Sequence, residues 1–127
     1  MTNPSKQRGT KFETDCVKFA QANGFPGTRR QPLAGSADRG DLWLCPGVVL
    51  ECKATRSINL ASAVDEAQAE ARNAGVEIGI AVIKRRNHGT GDAYAVLPYE
   101  LLLAILEEGR CRKPKQLVTS GCRKPKR

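Results

Sequence analysis

With 127 residues, the chain is long enough to bury one hydrophobic core and too short for two. A composition 40% hydrophobic and 27% charged is that of a folded domain, and the longest apolar runs, Ile80 to Ile83 and Leu101 to Leu106, are far too short to cross a bilayer. The net charge of +8 is local: residues 110–127 hold eight basic side chains and no acidic one, so residues 1–109 carry thirteen of each sign.

A basic segment of this kind suits a polyanion, DNA or RNA above all, although a solubilising tail without a partner has the same composition. Met1 to Arg8 is polar and has no apolar stretch of the signal-peptide kind, so a cytoplasmic chain is expected. The five cysteines (16, 45, 52, 111 and 122) are then expected as free thiols in a reducing compartment. They form no CxxC pair, and His88 is the only histidine, which excludes a structural zinc site.

In chain order, a helix is expected from Thr10. Phe12, Cys16, Phe19, Ala20 and Asn23 recur at helical spacing, and Gly24 supplies a stop. Three short extended segments follow, near Thr28–Leu33, Asp41–Cys45 and Val48–Lys53, the last two joined by the turn signal Pro46-Gly47. A second helix is expected over Leu60 to Ala74, with Leu60, Val64, Ala67, Ala71 and Ala74 as one apolar stripe and Gly75 as its end. Val76–Lys84 reads as a buried strand, and Ala93–Leu97 as its hairpin partner across the polar stretch Asn87–Asp92. Pro98 can open a last helix that runs through Glu108 and closes at Gly109. The tail repeats Cys111-Arg112-Lys113-Pro114-Lys115 as Cys122-Arg123-Lys124-Pro125-Lys126, and two basic, proline-interrupted pentapeptides cannot bury apolar surface. The reading is thus an α/β domain, 1–109, with one central mixed sheet, followed by a flexible basic tail, 110–127. The strand at Val76–Lys84 follows a helical crossover and can pair parallel to an earlier strand.

The chemistry is concentrated in two segments, Gly40-Asp41-Leu42-Trp43-Leu44 and Val48-Val49-Leu50-Glu51-Cys52-Lys53. Alternate side chains of a strand share a face, so Glu51 and Lys53 project together, and the Pro46-Gly47 turn brings the strand of Asp41 alongside. Two carboxylates with backbone oxygens can hold Mg²⁺ at about 2.0–2.1 Å, and a neighbouring lysine can stabilise charge growing on a phosphate. Glu-x-Lys alone is equally the solvent face of a hairpin; the Gly-Asp ahead of a hydrophobic strand, with a turn between, is what points to metal-assisted phosphodiester hydrolysis. Glu13 has two readings, since Thr10-x-x-Glu13 is also a capping box.

The run Lys11-Phe12-Glu13, Arg29-Arg30, Gly35-x-x-Asp38-Arg39-Gly40-Asp41 and Pro46-Gly47-Val48-Val49-Leu50-Glu51-Cys52-Lys53 resembles the PD-(D/E)XK nucleases. More narrowly, it is similar to archaeal-type Holliday junction resolvases and their relatives in actinobacterial phages. The resemblance continues through Asp65-Glu66-Ala67 and Asn73-Ala74-Gly75 to Val82-Ile83-Lys84-Arg85-Arg86, covering roughly residues 9–100. It implies a restriction-endonuclease-like core in which Glu13, Asp41 and Glu51 bind the metal and Lys53 is the catalytic lysine. Asp38 competes with Asp41 for the acidic role, and Gln68 falls where related nucleases often carry a polar residue near the site. Cys52 stands where the family usually has a β-branched residue.

The resemblance implies Mg²⁺ as cofactor, with Mn²⁺ able to substitute, and branched four-way DNA as substrate. It implies no membrane and no small-molecule substrate. Arg29, Arg30, Lys84 and Arg85, with Arg112, Lys113, Arg123 and Lys124 of the tail, are the candidate phosphate-binding residues. Cutting both opposing strands of a junction needs two sites, hence a homodimer, for which Leu101 to Leu106 offers an apolar surface; a buried core helix is the other reading of that segment. The other expectations kept open are a repair, replication or restriction-type nuclease on duplex, nicked or flapped DNA, in a bacterial or phage-infected cell, and a non-catalytic DNA-binding protein.

Deleting residues 110–127 should make the slope of log affinity for DNA against log salt shallower by several units, since each neutralised phosphate contributes about −0.9. Fluorescence-anisotropy titrations at a series of salt concentrations measure it, and an unchanged slope would give the tail a solubilising role.

Overall fold

The computed structural model describes residues 4–32 and 40–112, apart from the side chains of Ser5 and residues 110–112. Leu33, Asp38, Lys113, Arg123, Lys124 and the side chain of Arg112 lie outside the described residues. The chain divides into two compact units, Met1–Leu97 and Pro98–Arg127. Among the described residues no helix is long and apolar enough to cross a membrane.

The first unit is an α/β arrangement of two helices and a five-stranded mixed sheet. Helix α1 spans Pro4–Ala22, six residues longer at its start than Thr10 predicts. The reason is local: proline is tolerated in a first turn, and Lys6, Gln7 and Arg8 are good helix formers that outweigh the cost of Gly9. Gly24, at φ +103°, takes the left-handed conformation after the helix. Strand β1 covers Arg29–Arg30, and just ahead of it the buried Thr28 turns its hydroxyl onto the carbonyls of Phe25 (2.8 Å) and Leu44 (3.0 Å).

Strands β2 (Leu42–Cys45) and β3 (Val48–Lys53) form the expected hairpin, with Gly47 at φ +88° in its turn. Helix α2 occupies Leu60–Ala74, as predicted. The Asn59 side chain caps it by accepting from the Ser62 amide, and the left-handed Gly75 closes it. Strand β4 (Ile78–Ile83) returns parallel to β3, from Val48 opposite Ile78 to Lys53 opposite Ile83. A 3₁₀ turn over Thr90–Asp92 leads into β5 (Tyr94–Val96), antiparallel to β4. The sheet order is β1-β2-β3-β4-β5.

Strand alternation divides the core into two layers. On one face Leu42, Leu50, Cys52, Ile80 and Val82 meet Phe12 and Cys16 of α1. On the other, Ala81 and Ile83 meet Ala63 and Ala67 of α2. The buried face of α2 is therefore Ala63, Ala67, Glu70 and Ala71, not a stripe centred on Leu60 and Val64; Leu60 is 55% exposed. Closest approach decides the rotation, because the smallest side chains must turn inward where a helix lies directly on a strand. Gly79 of β4 marks that point: a methyl there would overlap the Ala67 carbonyl and stand 3.0 Å from Ala71 Cβ.

In the second unit, α3 (Tyr99–Arg112) continues past Gly109, so the expected boundary at 109/110 falls inside this helix. Leu102, Leu103 and Leu106 are exposed, as is Tyr99.

Gly79→Ala should lower stability by about 1–3 kcal/mol, because the clash is with helix backbone rather than a movable side-chain tip. Urea unfolding monitored by circular dichroism would register it as a lower midpoint.

Candidate active site

Everything converges on the last three residues of β3. Glu51 and Lys53 share the strand face beneath α2, while Cys52 between them faces α1. Lys53 Nζ lies 3.3 Å from Glu51 Oε2 and 2.6 Å from Glu66 Oε1. Burial pulls the Lys53 ammonium down, but the hydrogen bond to Glu66 and the charges of Glu51 and Glu66 more than offset it, leaving its pKa above the ordinary lysine value. At neutral pH this group is a fixed cation and not a proton acceptor.

Asp41 stands just before β2, next to Gly40 at φ +93°. Its amide donates to Leu50 O (3.0 Å) and its Oδ2 accepts from the Cys52 amide (2.8 Å), so it brackets the backbone of Glu51. Gly40 is required by that close approach as well as by its φ: a Cβ would come within 3.3 Å of Leu50 O and 3.5 Å of Glu70 Oε1.

The acidic cluster differs from the set that the sequence resemblance implies. Glu51, Glu66 and Glu70 each place a carboxylate oxygen within 4.8 Å of the other two, and this is the cluster found among the described residues. Glu51 is only 8% exposed and Glu70 is buried too, and Glu51 Oε1 is buried with no hydrogen-bond partner among the described residues. Three clustered carboxylates, one of them on a residue with an orphaned oxygen, form an all-oxygen donor set that fits a hard cation such as Mg²⁺ or Mn²⁺. Glu66 and Glu70 were not singled out from the sequence as site residues. Their signal is the four-residue spacing, which stacks them on one face of α2, with Glu70 falling on the alanine face that packs on the sheet.

Glu13 lies well inside α1, so it does not cap the helix start. It forms an ion pair with Arg30, whose guanidinium also donates to Thr10 O (2.8 Å) and Thr14 Oγ1 (2.9 Å). Glu13 and Asp41 both lie near the Cys16–Cys52 pair. There the hydrogen bond between the two thiols, burial and the nearby negative charges push Cys52 far up, so it stays a thiol. Gln68, the loosest expectation, donates to Gly79 O at 2.6 Å and ties α2 to β4.

Of the candidate phosphate-binding residues, Arg29 lies over the Trp43 ring (5.1 Å) and Arg85 over Tyr94 (5.9 Å). Lys84 donates its amide to Lys53 O at 2.9 Å and lines a cavity of about 410 Å³ with Arg8, Lys11 and His88. Asp15 lines it too, and with Phe12 of α1 in its wall the cavity lies on the α1 side of the sheet, the face opposite Glu51 and Lys53. No family model, curated protein or solved structure matches the chain.

The Glu13–Arg30 pair is partly solvent-exposed, so Glu13→Gln and Arg30→Met should each cost about 1 kcal/mol, and the double variant should cost less than their sum. A double-mutant cycle on chemical denaturation reads the coupling, and strict additivity would show that the pair does not hold β1 to α1.

Proposed function

We propose that this chain is a Mg²⁺-dependent, structure-selective DNA endonuclease with a PD-(D/E)XK core, acting on four-way junctions as a homodimer. The observation that carries the reading is the convergence of Asp41, Glu51 and Lys53 on one end of β3. A carboxylate buried there beside a lysine contributes little to folding that an apolar pair would not, since desolvating two charges costs several kcal/mol. The mixed sheet, with the hairpin β2–β3 followed by a helical crossover to a parallel β4, is compatible with that core.

In this reading Glu51 would hold Mg²⁺, with Asp41 beside it, and the ion would supply Lewis-acid charge to the scissile phosphate. Lys53, a cation next to that position, would turn its charge toward the phosphate oxygens, where negative charge grows in the transition state. Burial beneath α2 strengthens that electrostatic effect relative to water. Arg29, Lys84 and Arg85 would contact backbone phosphates, while Arg30 is held on α1 by Glu13. Such contacts fix the register of the nucleic acid without reading its sequence. A junction needs two symmetry-related cuts, and a two-fold dimer places two such sites in matching orientation.

Lys53→Ala and Glu51→Gln should abolish Mg²⁺-dependent cleavage, by a factor of at least about 10² for the lost charge stabilisation, while leaving DNA affinity nearly unchanged. Matched four-way junction, duplex, flap and single-stranded substrates, with light scattering on the same protein, provide the measurement. Cleavage by Lys53→Ala at the native rate would remove the assignment of the active site to the Asp41, Glu51 and Lys53 set. A monomer that cuts duplex or flap in preference to junction would move the substrate to repair-type DNA.

A further inference from the structure

We propose that Glu66 and Glu70 of α2 join Glu51 of β3 in holding one hard divalent cation, and that the Lys53 ammonium fills this position until the metal displaces it. This assigns ligands within the proposed nuclease site, and rests on that reading for the use of the ion but not for its binding. Two observations support it independently. The first is spatial: three carboxylate oxygens from two elements lie within 4.8 Å of one another. The second is Glu51 Oε1, an acceptor on a residue 8% exposed, sealed from solvent and lacking a hydrogen-bond partner among the described residues. Leaving such an atom without a donor costs more than an ordinary hydrogen bond returns, and a cation is what would satisfy it.

Lys53 shows how the cluster is neutralised without a metal. Its Nζ lies 2.6 Å from Glu66 and 3.3 Å from Glu51, a single ammonium shared by carboxylates of two elements. An ammonium and a divalent ion cannot share that position, because their charges repel at contact distance. Binding of the ion therefore moves Lys53 out of the cluster, toward the open cleft lined by Thr55, Ser57, Asn59 and Ser62. The same competition separates this set from one built on Asp41 and Glu13. Asp41 Oδ2 is engaged with the Cys52 amide, and Glu13 with Arg30.

The test is a titration of the full chain with Mn²⁺ alone, without DNA, following free Mn²⁺ by electron paramagnetic resonance. Glu66→Gln and Glu70→Gln should each weaken binding by about tenfold or more, and Lys53→Met should tighten it by a similar factor. Asp41→Asn should change it less than either glutamine variant. Unchanged affinity in Glu66→Gln, or weaker binding in Lys53→Met, would overturn the proposal. If Glu70→Gln does not fold by circular dichroism, Glu66→Gln decides the matter, since its side chain is 48% exposed. Mn²⁺ binding with the expected pattern but no DNA cleavage would leave this site standing and remove the nuclease reading. Cleavage with Glu66→Gln indifferent to Mn²⁺ would do the reverse.

Discussion

A carboxylate in the middle strand of the sheet, shut off from water by a helix, is the constraint on which the rest of this structure turns. Desolvating Glu51 alone would cost several kcal/mol, and the fold offsets this by placing Lys53 two residues along the same strand face. One lysine serves two elements, because Glu66 reaches it from α2. The helix must lie close to the sheet for that contact, which explains the alanines at 63, 67 and 71 and the glycine at 79. Packing and electrostatics are thus one problem in this layer: small residues let the helix approach, and the approach closes the acidic cluster.

The opposite face of β3 is built differently. Leu50 and Cys52 pack into a conventional apolar layer with Phe12, Cys16 and Leu42. Polar backbone there is held by Asp41, whose amide and carboxylate engage the chain on either side of Glu51. Strand β3 is consequently fixed from both faces and paired on both edges, by β2 and β4. A rigid strand is a suitable carrier for chemistry that depends on placing a charge within a fraction of an ångström.

Basic residues around this strand divide into two kinds. Arg30 is committed to α1 through Glu13 and two oxygen acceptors, which gives it a structural duty whatever else it touches. Arg29 and Arg85 rest on aromatic rings at the exposed surface, an arrangement that leaves guanidinium edges available to anions. Lys84, bonded through its backbone to Lys53, extends positive potential from the strand end toward α1. The proposed DNA path follows this second kind.

What the sequence by itself determined is set by local rules. The bounds of α2, the whole of β3 and the Pro46-Gly47 turn follow from alternation, helical spacing and glycine stops, all of which act within a few residues, while the helical crossover between β3 and β4 allowed the parallel pairing that the structure has. The pairing of Glu51 with Lys53 was legible for the same reason, since a period of two puts them on one face whatever surrounds the strand. Glu66 and Glu70 were not, because their meeting with Glu51 depends on how α2 is rotated on the sheet. A hydrophobic stripe through Leu60 and Val64 suggests one rotation, and the close contact at Gly79 imposes another. Glu13 is a similar case: Thr10-x-x-Glu13 has the spacing of a cap, but the helix starts at Pro4, and a partner on β1 gives the carboxylate its place. Local chemistry chose the elements, and distances between elements, closed by the smallest side chains, chose which charges meet.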